Sequence, residues 1–223
     1  MRAPIKICCI QDENEAKLAI DCGAEALGLV SEMPSGWGPI PEEVIGRIAK
    51  TIPPFVTSVL LTSKTNARDI IEQQQVTQCN AIQIVDAFPI SEYALLRQAM
   101  PGISILQAVH VYGTESIDHA KAVAPHVDGL ILDTGSPHGA DVRVLGGTGQ
   151  THDWTISAAI VQAVSTPVFL AGGLKTHNIA EAMQTTKSYG IDLCTGVRTN
   201  THLDPDKLRA FMTAARQATQ GEV

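Results

Sequence analysis

The sequence predicts an α/β fold of the (β/α)8 barrel (TIM barrel) type, formed as a single domain by residues 1–223. Short apolar runs alternate with amphipathic stretches of helical periodicity, and the runs start roughly 20 to 40 residues apart, as a repeated β/α unit requires. The apolar residues are mainly Ala, Ile, Val and Leu, and only 4% of residues are aromatic. This composition suits buried parallel strands covered by helices. A doubly wound open sheet is the alternative fold with the same alternation.

The predicted strands are uniformly apolar rather than alternately apolar and polar. Strands of this kind are covered on both faces, and parallel neighbours need helical crossovers between them. Eight such strands favour the closed barrel over the open sheet. They cover residues 5–9, 26–30, 55–61, 81–85, 104–109, 129–133, 168–171 and 191–195.

The predicted helices lie between the strands, and local signals support several of them. Gly23 follows the first helix as a C′ glycine, and Pro41 opens the second at its first helical position. Thr65 and Asp204 are expected to be N-caps, and so is Asp153. The helices are predicted over residues 13–22, 41–51, 65–74, 90–100, 115–123, 155–164, 178–186 and 204–215.

The charge balance and the cysteines exclude several classes of protein. A formal net charge of −7 argues against non-specific nucleic-acid binding. The five cysteines are irregularly spaced and form no CxxC pair, which argues against structural zinc and suits a reducing compartment. No apolar run is long enough to cross a membrane, and the N-terminus turns acidic before a signal-peptide core. We therefore expect a cytoplasmic protein with no nucleic-acid or membrane partner.

In a barrel the functional groups lie where the strands end at their carboxyl side. Cys8 and Cys9 end the first predicted strand, and Asp133 ends the sixth. Glycine-bearing loops follow the sixth, seventh and eighth strands, reading "GGTG", "AGGL" and "CTGV". Any one glycine pair is most simply a tight turn, but three glycine clusters on one rim favour backbone binding of a phosphate.

Six motifs together resemble one enzyme family. They are "KICCI", "GAEALGLV", "LILDT", "GGTGQTHDW", "VFLAGGL" and "GIDLCTGV", in an order and spacing that cover about residues 5 to 211. The chain is similar to the phosphoribosylanthranilate isomerases of tryptophan biosynthesis. That resemblance also implies a (β/α)8 barrel, and it implies an Amadori rearrangement that turns an aminated ribose phosphate into a 1-amino-ketose.

The resemblance implies a role for each motif residue. The family's general-base cysteine falls on Cys8, and its general-acid aspartate falls on Asp133. An Amadori rearrangement needs only proton transfers, so no cofactor or metal is implied. The expected partner is a small phosphorylated sugar, and the family includes monomers and homodimers. The expected phosphate-binding residues are Gly146, Gly147, Thr148, Gly172, Gly173, Thr195 and Gly196.

The proposed acid and base impose requirements on their surroundings. A carboxylic acid can protonate the furanose ring oxygen only if its pKa is raised towards neutrality. A thiolate can remove the C2 proton only if its pKa is lowered, which requires nearby positive character. We expect the side chain of Cys9 to point away from Cys8, because successive strand residues alternate between faces. Packing is then the expected role of Cys9.

The sequence departs from the family on the side that would hold the anthranilate ring. Gly38 stands where the family has a carboxylate-binding arginine, and Val85 stands where its "QLHG" motif has histidine. Cys9 and Gln11 replace a glycine and a threonine, and Arg198 replaces a residue that is usually glutamate. The residues considered as substitute substrate contacts are Arg143, Arg198, His110 and Gln83.

Three functions therefore remain open from the sequence. The chain is an isomerase of the family, a paralogue acting on a different phosphosugar, or a phosphate-ligand binder without activity. A binder has no need of both Cys8 and Asp133, so the acid/base pair favours an enzyme.

Overall fold

The structure, a computed structural model, describes residues 2–34, 38–135 and 149–220. Eight parallel strands form a closed barrel in the order β1 to β8, with β1 paired to β8. A helix follows each strand, and a short antiparallel pair, residues 198–199 with 202–203, lies between β8 and the last helix. The predicted (β/α)8 fold is confirmed, and the open sheet is excluded.

The strands are β1 Ile5–Ile7, β2 Ala26–Val30, β3 Thr57–Thr62, β4 Ala81–Ile84, β5 Ser104–His110, β6 Gly129–Asp133, β7 Val168–Leu170 and β8 Gly190–Leu193. The helices are α1 Glu13–Asp21, α2 Glu42–Thr51, α3 Ala67–Thr77, α4 Ile90–Ala99, α5 Glu115–Val123, α6 Trp154–Ala163, α7 Ile179–Thr186 and α8 Pro205–Gln220. In the part of the chain that the structure describes, no helix is both long and apolar enough to cross a membrane.

The boundary signals are partly confirmed. Gly23 ends α1 with a φ of 90°, and Asp204 caps α8 by accepting hydrogen bonds from two backbone N–H groups. The prediction of Thr65 as a cap is wrong, because the side chain of Asn66 accepts the N–H of Asp69 at 3.0 Å. Pro41 is the N-cap of α2 rather than its first helical residue. These differences move helix ends by one or two residues and leave the barrel unchanged.

Two apolar layers hold the barrel. The larger one lies between the outer faces of the strands and the helices, and Ile7, Leu27 and Leu60 are fully buried there. The smaller one fills the barrel interior with Val59, Leu61 and other buried residues, and it includes Cys8 and Cys9 at its upper end. The alternation of strand side chains therefore places Lys6 and Cys8 on the same inner face, two residues apart.

Candidate active site

Cys8 lies directly after β1, where the barrel opens towards the loops. Its backbone N–H donates to the carbonyl of Leu193 at 2.8 Å, which continues the β1–β8 pairing by one residue. Across from it, a Cβ on Gly28 would lie only 2.7 Å from Cys8 Sγ and 3.1 Å from Lys6 Nζ. Gly28 therefore makes room for both side chains, and the Cys8 thiol is buried rather than at the surface.

A buried ion pair lies below Cys8 inside the barrel. Lys6 Nζ is 2.7 Å from Asp192 Oδ2, and the side chains are only 3% and 7% exposed. Burial by itself would lower the pKa of Lys6, but Asp192, Cys8 and Cys9 outweigh it and raise that pKa above its usual range. Lys6 is therefore a fixed positive charge beneath the thiol, and it supplies the positive character that a cysteine base requires.

The pKa of Cys8 lies below that of an ordinary thiol. A hydrogen bond from the Cys9 side chain is the largest cause, and Lys6 adds to it by its positive charge. Burial and the charge of Asp192 act in the opposite direction but do not cancel the effect. The site thus favours the thiolate form of Cys8, which is the form a general base needs.

The expectation that Cys9 points away from Cys8 is wrong. The strand ends at Ile7, and Cys9 has a φ of 62°, so the alternation of an extended strand does not reach it. Cys9 Sγ lies 3.8 Å from Cys8 Sγ, and Cys194 Sγ, after β8, lies 2.8 Å from Cys9 Sγ. Three thiols therefore meet at the mouth of the barrel between β1 and β8.

Two of the departures from the family are in direct contact. Gly38, in the loop after β2, has a φ of 98°, and a Cβ there would lie 2.9 Å from Cys9 Cβ and 3.3 Å from its Sγ. The side chain of Cys9 thus occupies the space in which a side chain at position 38 would begin. A side chain at position 38 would therefore have to displace Cys9.

Asp133 ends β6, three strands from β1 around the closed barrel. Its Oδ1 accepts the backbone N–H of Thr134 at 2.7 Å, and the side chain is half-buried. A Cβ on Gly172 would lie 3.1 Å from that oxygen, so the glycine after β7 leaves the carboxylate room at the mouth. Cys8 and Asp133 therefore border the same opening, as the predicted acid/base pair requires.

The loops after β6, β7 and β8 pack against one another through glycines. A Cβ on Gly173 would overlap the backbone of Gln150 and Thr151, and a Cβ on Gly149 would lie 3.4 Å from Thr195 Oγ1. Backbone in these loops approaches backbone without intervening side chains. Exposed N–H groups in such loops are suited to an anion, and the rim at strands 7 and 8 is where barrels commonly bind phosphate.

Four of the seven predicted phosphate-binding residues lie in the described part of the chain. Gly172 and Gly173 both have positive φ, and a Cβ on Gly196 would overlap the carbonyl of Leu174. With Thr195, these residues lie together on the β7–β8 side of the mouth. Four further predicted site residues lie outside the described part of the chain: Arg143, Gly146, Gly147 and Thr148.

The structure does not support Arg198 as a substitute carboxylate contact. Its guanidinium is bound to both carboxylate oxygens of Glu15 at 3.0 to 3.1 Å. The same group donates to the carbonyls of Cys8 at 3.2 Å and Cys9 at 2.5 Å. The side chain is only 3% exposed. It therefore fixes the backbone that follows β1 and does not reach into the barrel mouth.

His110 and Gln83 both lie at the barrel interior, but they differ in their hydrogen bonds. His110 is paired in register with Asp133, but its Nε2 is 3.0 Å from the carbonyl of Val85, which gives the ring a structural contact. Gln83 is 4% exposed, and its Oε1 has no hydrogen-bond partner among the described residues. A buried unpaired amide oxygen facing the interior supports Gln83 as a ligand contact.

A second histidine, His152, has a structural role in the loop after β6. His152 Nδ1 is 3.1 Å from Thr134 Oγ1, and His152 Nε2 is 2.7 Å from Ser157 Oγ. Burial lowers the pKa of His152 to about 4, against a weaker opposite effect of Asp153. A neutral His152 therefore joins the residue after Asp133 to helix α6.

Sequence reasoning missed Lys6, Asp192, Glu15 and the contact of Cys194. Lys6 could have been found, because it precedes Cys8 by two residues in one strand and so shares its inward face. Asp192 and Glu15 are 186 and 183 positions from their partners, and no local pattern links them. In the described ranges, no group of three or more His, Cys, Asp or Glu residues could hold a metal ion.

Comparisons with known proteins agree with this geometry. The family model described as N-(5'phosphoribosyl)anthranilate (PRA) isomerase matches residues 5–214. The N-(5'-phosphoribosyl)anthranilate isomerase of Haloferax volcanii is 34% identical over 219 residues, covering 96% of this chain and 93% of that protein. The protein named N-(5'-phosphoribosyl)anthranilate isomerase 2 of Methanosarcina mazei is 34% identical over 214 residues, covering 95% and 93%.

Solved structures show the same barrel. The crystal structure of phosphoribosyl anthranilate isomerase from Thermotoga maritima superposes with a TM-score of 0.83 at 25% identity, covering 96% of this chain and 99% of that one. A second phosphoribosyl anthranilate isomerase, in complex with reduced 1-(o-carboxyphenylamino)-1-deoxyribulose 5-phosphate, superposes with a TM-score of 0.80 at 23% identity. It covers 96% of this chain and 99% of that one. By its sequence and its fold, the chain belongs to the phosphoribosylanthranilate isomerase family.

Proposed function

We propose that this chain is a phosphoribosylanthranilate isomerase, which converts an aminated ribose 5-phosphate into a 1-amino-1-deoxyketose. The observation that supports it most directly is the buried Cys8 thiol. Its pKa is lowered by a hydrogen bond from Cys9 and by the charge of Lys6, and it borders the same barrel mouth as Asp133. A binding protein has no use for a thiol prepared as a base, so this observation favours an enzyme over a phosphate-ligand binder.

The proposed reaction consists of proton transfers between these two groups and the substrate. Asp133, in its protonated form, donates a proton to the furanose ring oxygen, and the C1–O bond breaks to give an open-chain Schiff base. The Cys8 thiolate then removes the proton from C2, and those electrons neutralise the iminium nitrogen to give an enol-amine. Tautomerisation of that enol places the carbonyl at C2. In that tautomerisation C1 takes up a proton and the C2 hydroxyl releases one, and Asp133 and Cys8 return to their starting protonation states by proton exchange with solvent. The net change is an isomerisation, and its steps call for no cofactor.

The phosphate is the proposed anchor of the substrate. We assign it to the backbone of the loops after β7 and β8, with Gly172, Gly173, Thr195 and Gly196. Their close packing leaves N–H groups rather than side chains at that edge. Gln83, with its unpaired Oε1, is the proposed polar contact from the opposite side. The ligand of the related crystal structure is a phosphorylated amino sugar, which suits this division.

A direct assay and a complementation test decide the proposal together. The purified protein is incubated with phosphoribosylanthranilate, product formation is followed by chromatography, and the gene is expressed in a tryptophan auxotroph that lacks the isomerase. We expect turnover and rescue. Cys22→Ser is a control, because that thiol lies at the far end of α1 and should leave both intact. Stable protein with neither turnover nor rescue would contradict the assignment and favour another phosphosugar.

A further inference from the structure

The thiol of Cys9 has a defined orientation towards Cys8 that the proposed reaction does not yet use. Its sulfur lies 3.8 Å from Cys8 Sγ and is itself contacted by Cys194 Sγ at 2.8 Å. The close sulfurs of Cys194 and Cys8, together with burial, raise the pKa of Cys9 well above that of an ordinary thiol. Of the two sulfurs, Cys8 is therefore the one that loses its proton more readily.

The conformation that aims Cys9 is imposed from outside the strand. A φ of 62° is unfavourable for a residue with a Cβ, so other contacts must hold it. Arg198 supplies them, because it donates to the carbonyls of both Cys8 and Cys9. Glu15 fixes the guanidinium, and its carboxylate also accepts the N–H groups of Gln11 at 3.2 Å and Leu203 at 2.8 Å. This arrangement joins the β1–α1 segment to the chain after β8.

The charged and titratable neighbours of the pair come from few elements. Lys6 and Asp192 lie below it on β1 and β8, and Cys194 lies beside it. Arg198 and Glu15 contact the backbone of the segment after β1, Arg198 at the carbonyls of Cys8 and Cys9 and Glu15 at the N–H of Gln11. From β2 to β5 the inner face carries apolar side chains and the uncharged amide of Gln83, and Gly28 and Gly38 leave the space beside the two sulfurs free of a Cβ. Farther along the mouth, β5 and β6 end in His110 and Asp133.

We propose that Cys9 is a positioning residue which donates its S–H to the Cys8 sulfur and so maintains Cys8 as a thiolate, and that the Arg198–Glu15 pair aims Cys9 for this purpose. The inference rests on the proposed function, in which Cys8 is the base. It assigns a task to a residue at which the family usually has glycine and to an arginine at which the family tends to have glutamate. The fixed charge of Lys6 and the donor on Cys9 then act on Cys8 from two directions.

A matched pair of variants tests the donor. Cys9→Ser keeps an O–H donor, whereas Cys9→Ala removes it, and both keep a Cβ in the same backbone conformation. The rate of alkylation of Cys8 by iodoacetamide is measured against pH on the Cys8 peptide by tandem mass spectrometry, alongside the pH profile of kcat/KM. For Cys9→Ala we expect ~10-fold slower alkylation near pH 6.5 and convergence with wild type above pH 9, since one hydrogen bond to a charged group is lost.

Each outcome has a distinct meaning. If Cys9→Ala leaves the alkylation profile in place, or if Cys9→Ser changes it as much as Cys9→Ala does, the proposal is wrong. If the alkylation profile moves but the kcat/KM profile does not, Cys9 tunes Cys8 as proposed, and Cys8 is not the base of the proposed function. The two failures are therefore separable in one experiment.

A second variant tests the aiming contact. Arg198→Lys keeps a positive charge beside Glu15 but cannot reach both carbonyls with a planar fork. We expect its Cys8 alkylation profile to move in the same direction as that of Cys9→Ala, and the double variant to show no further change. Additive effects in the double variant, with wild-type thermal stability in the single one, would overturn the assignment of Arg198.

Discussion

The two halves of the barrel mouth are built in different ways. On the β6–β8 side, backbone packs on backbone, with Gly173 against Gln150 and Gly196 against Leu174. On the β1–β2 side, the surface is made of side chains, with Cys9 filling the space beside Gly38. The half proposed to bind a phosphate through N–H groups keeps that property as long as its glycines stay. A half made of side chains can change its chemistry by exchanging them.

This difference accounts for two of the departures from the family. The proposed binding of a phosphate through backbone requires glycines at fixed positions, and those glycines lie in the family motifs. Cys9 and Gly38 fall on the side-chain half, whereas Val85 follows β4 and Arg198 follows β8. Cys9 fills the space beside Gly38 and brings its thiol to 3.8 Å from Cys8 Sγ. If Cys8 is the base, as proposed, these two residues act on the same side of the site.

The largest effects should come from the two proposed proton-transfer groups, one on each side of the opening. We expect Cys8→Ser and Asp133→Asn each to reduce kcat by at least about 100-fold, the usual contribution of a general acid or base. Steady-state kinetics on phosphoribosylanthranilate measures this, with circular dichroism to verify folding. Wild-type turnover in either variant would remove that residue from the proposed reaction.

A smaller effect should follow from disturbing the backbone half. Gly173→Ala adds a Cβ that overlaps Gln150 and Thr151, so the phosphate loop must shift, and we expect KM to rise about 10-fold. Gly102→Ala is the matched control. Gly102 also has a positive φ, of 95°, but no atom lies within 4 Å of its Cβ position. A KM for Gly173→Ala no higher than that for Gly102→Ala would contradict the proposed role of this loop in binding the phosphate.

The side-chain half can be tested by the contact between its two exchanged residues. Gly38→Ala places a Cβ against Cys9 at a φ that already disfavours it, so we expect a loss of stability. Cys9→Gly should relieve the steric part of that loss. A double-mutant cycle in urea should give a coupling free energy of about 1 kcal/mol. Additivity of the two changes would mean that positions 9 and 38 vary independently.

The smallest effect at neutral pH concerns His152, which ties the backbone half to α6. The folded state keeps His152 neutral down to a pKa of about 4, whereas the unfolded chain protonates it near 6.5. The unfolded state therefore binds more protons between these values, and stability falls as the pH drops from 6.5 towards 4. His152→Gln should show a weaker fall in urea midpoint over this range and a near-constant difference from wild type above pH 7.5. A parallel decline in both proteins would contradict this assignment.

The sequence predicts the barrel well because its signals are local. Apolar runs and helical periodicity need no long-range information, and β2 and β6 fall on their predicted residues. The carboxyl end of β6 therefore placed Asp133 correctly at the mouth. The glycine clusters were equally readable, since a positive φ or a close approach restricts a position to glycine whatever its distant neighbours are.

The orientation of Cys9 could not be predicted in the same way. It depends on Arg198, which is 189 positions away, and on Glu15, which holds that arginine in place. Strand alternation gave the wrong direction for the Cys9 side chain because β1 ends at Ile7, two residues before Cys9. For the same reason the sequence could not show that the partners of Arg198 are the backbone of Cys8 and Cys9 and the carboxylate of Glu15, rather than a substrate.

The left-handed backbone of Cys9 has a further consequence for how this protein can evolve. A residue with a Cβ in that conformation costs about 1 kcal/mol relative to glycine, and the side chain of this residue is the proposed donor to Cys8. Selection for heat resistance alone should therefore return glycine to position 9 and sacrifice reactivity at low pH. Selection for growth in acid should keep the cysteine. Selection for thermal tolerance and selection for acid tolerance would then favour different residues at position 9.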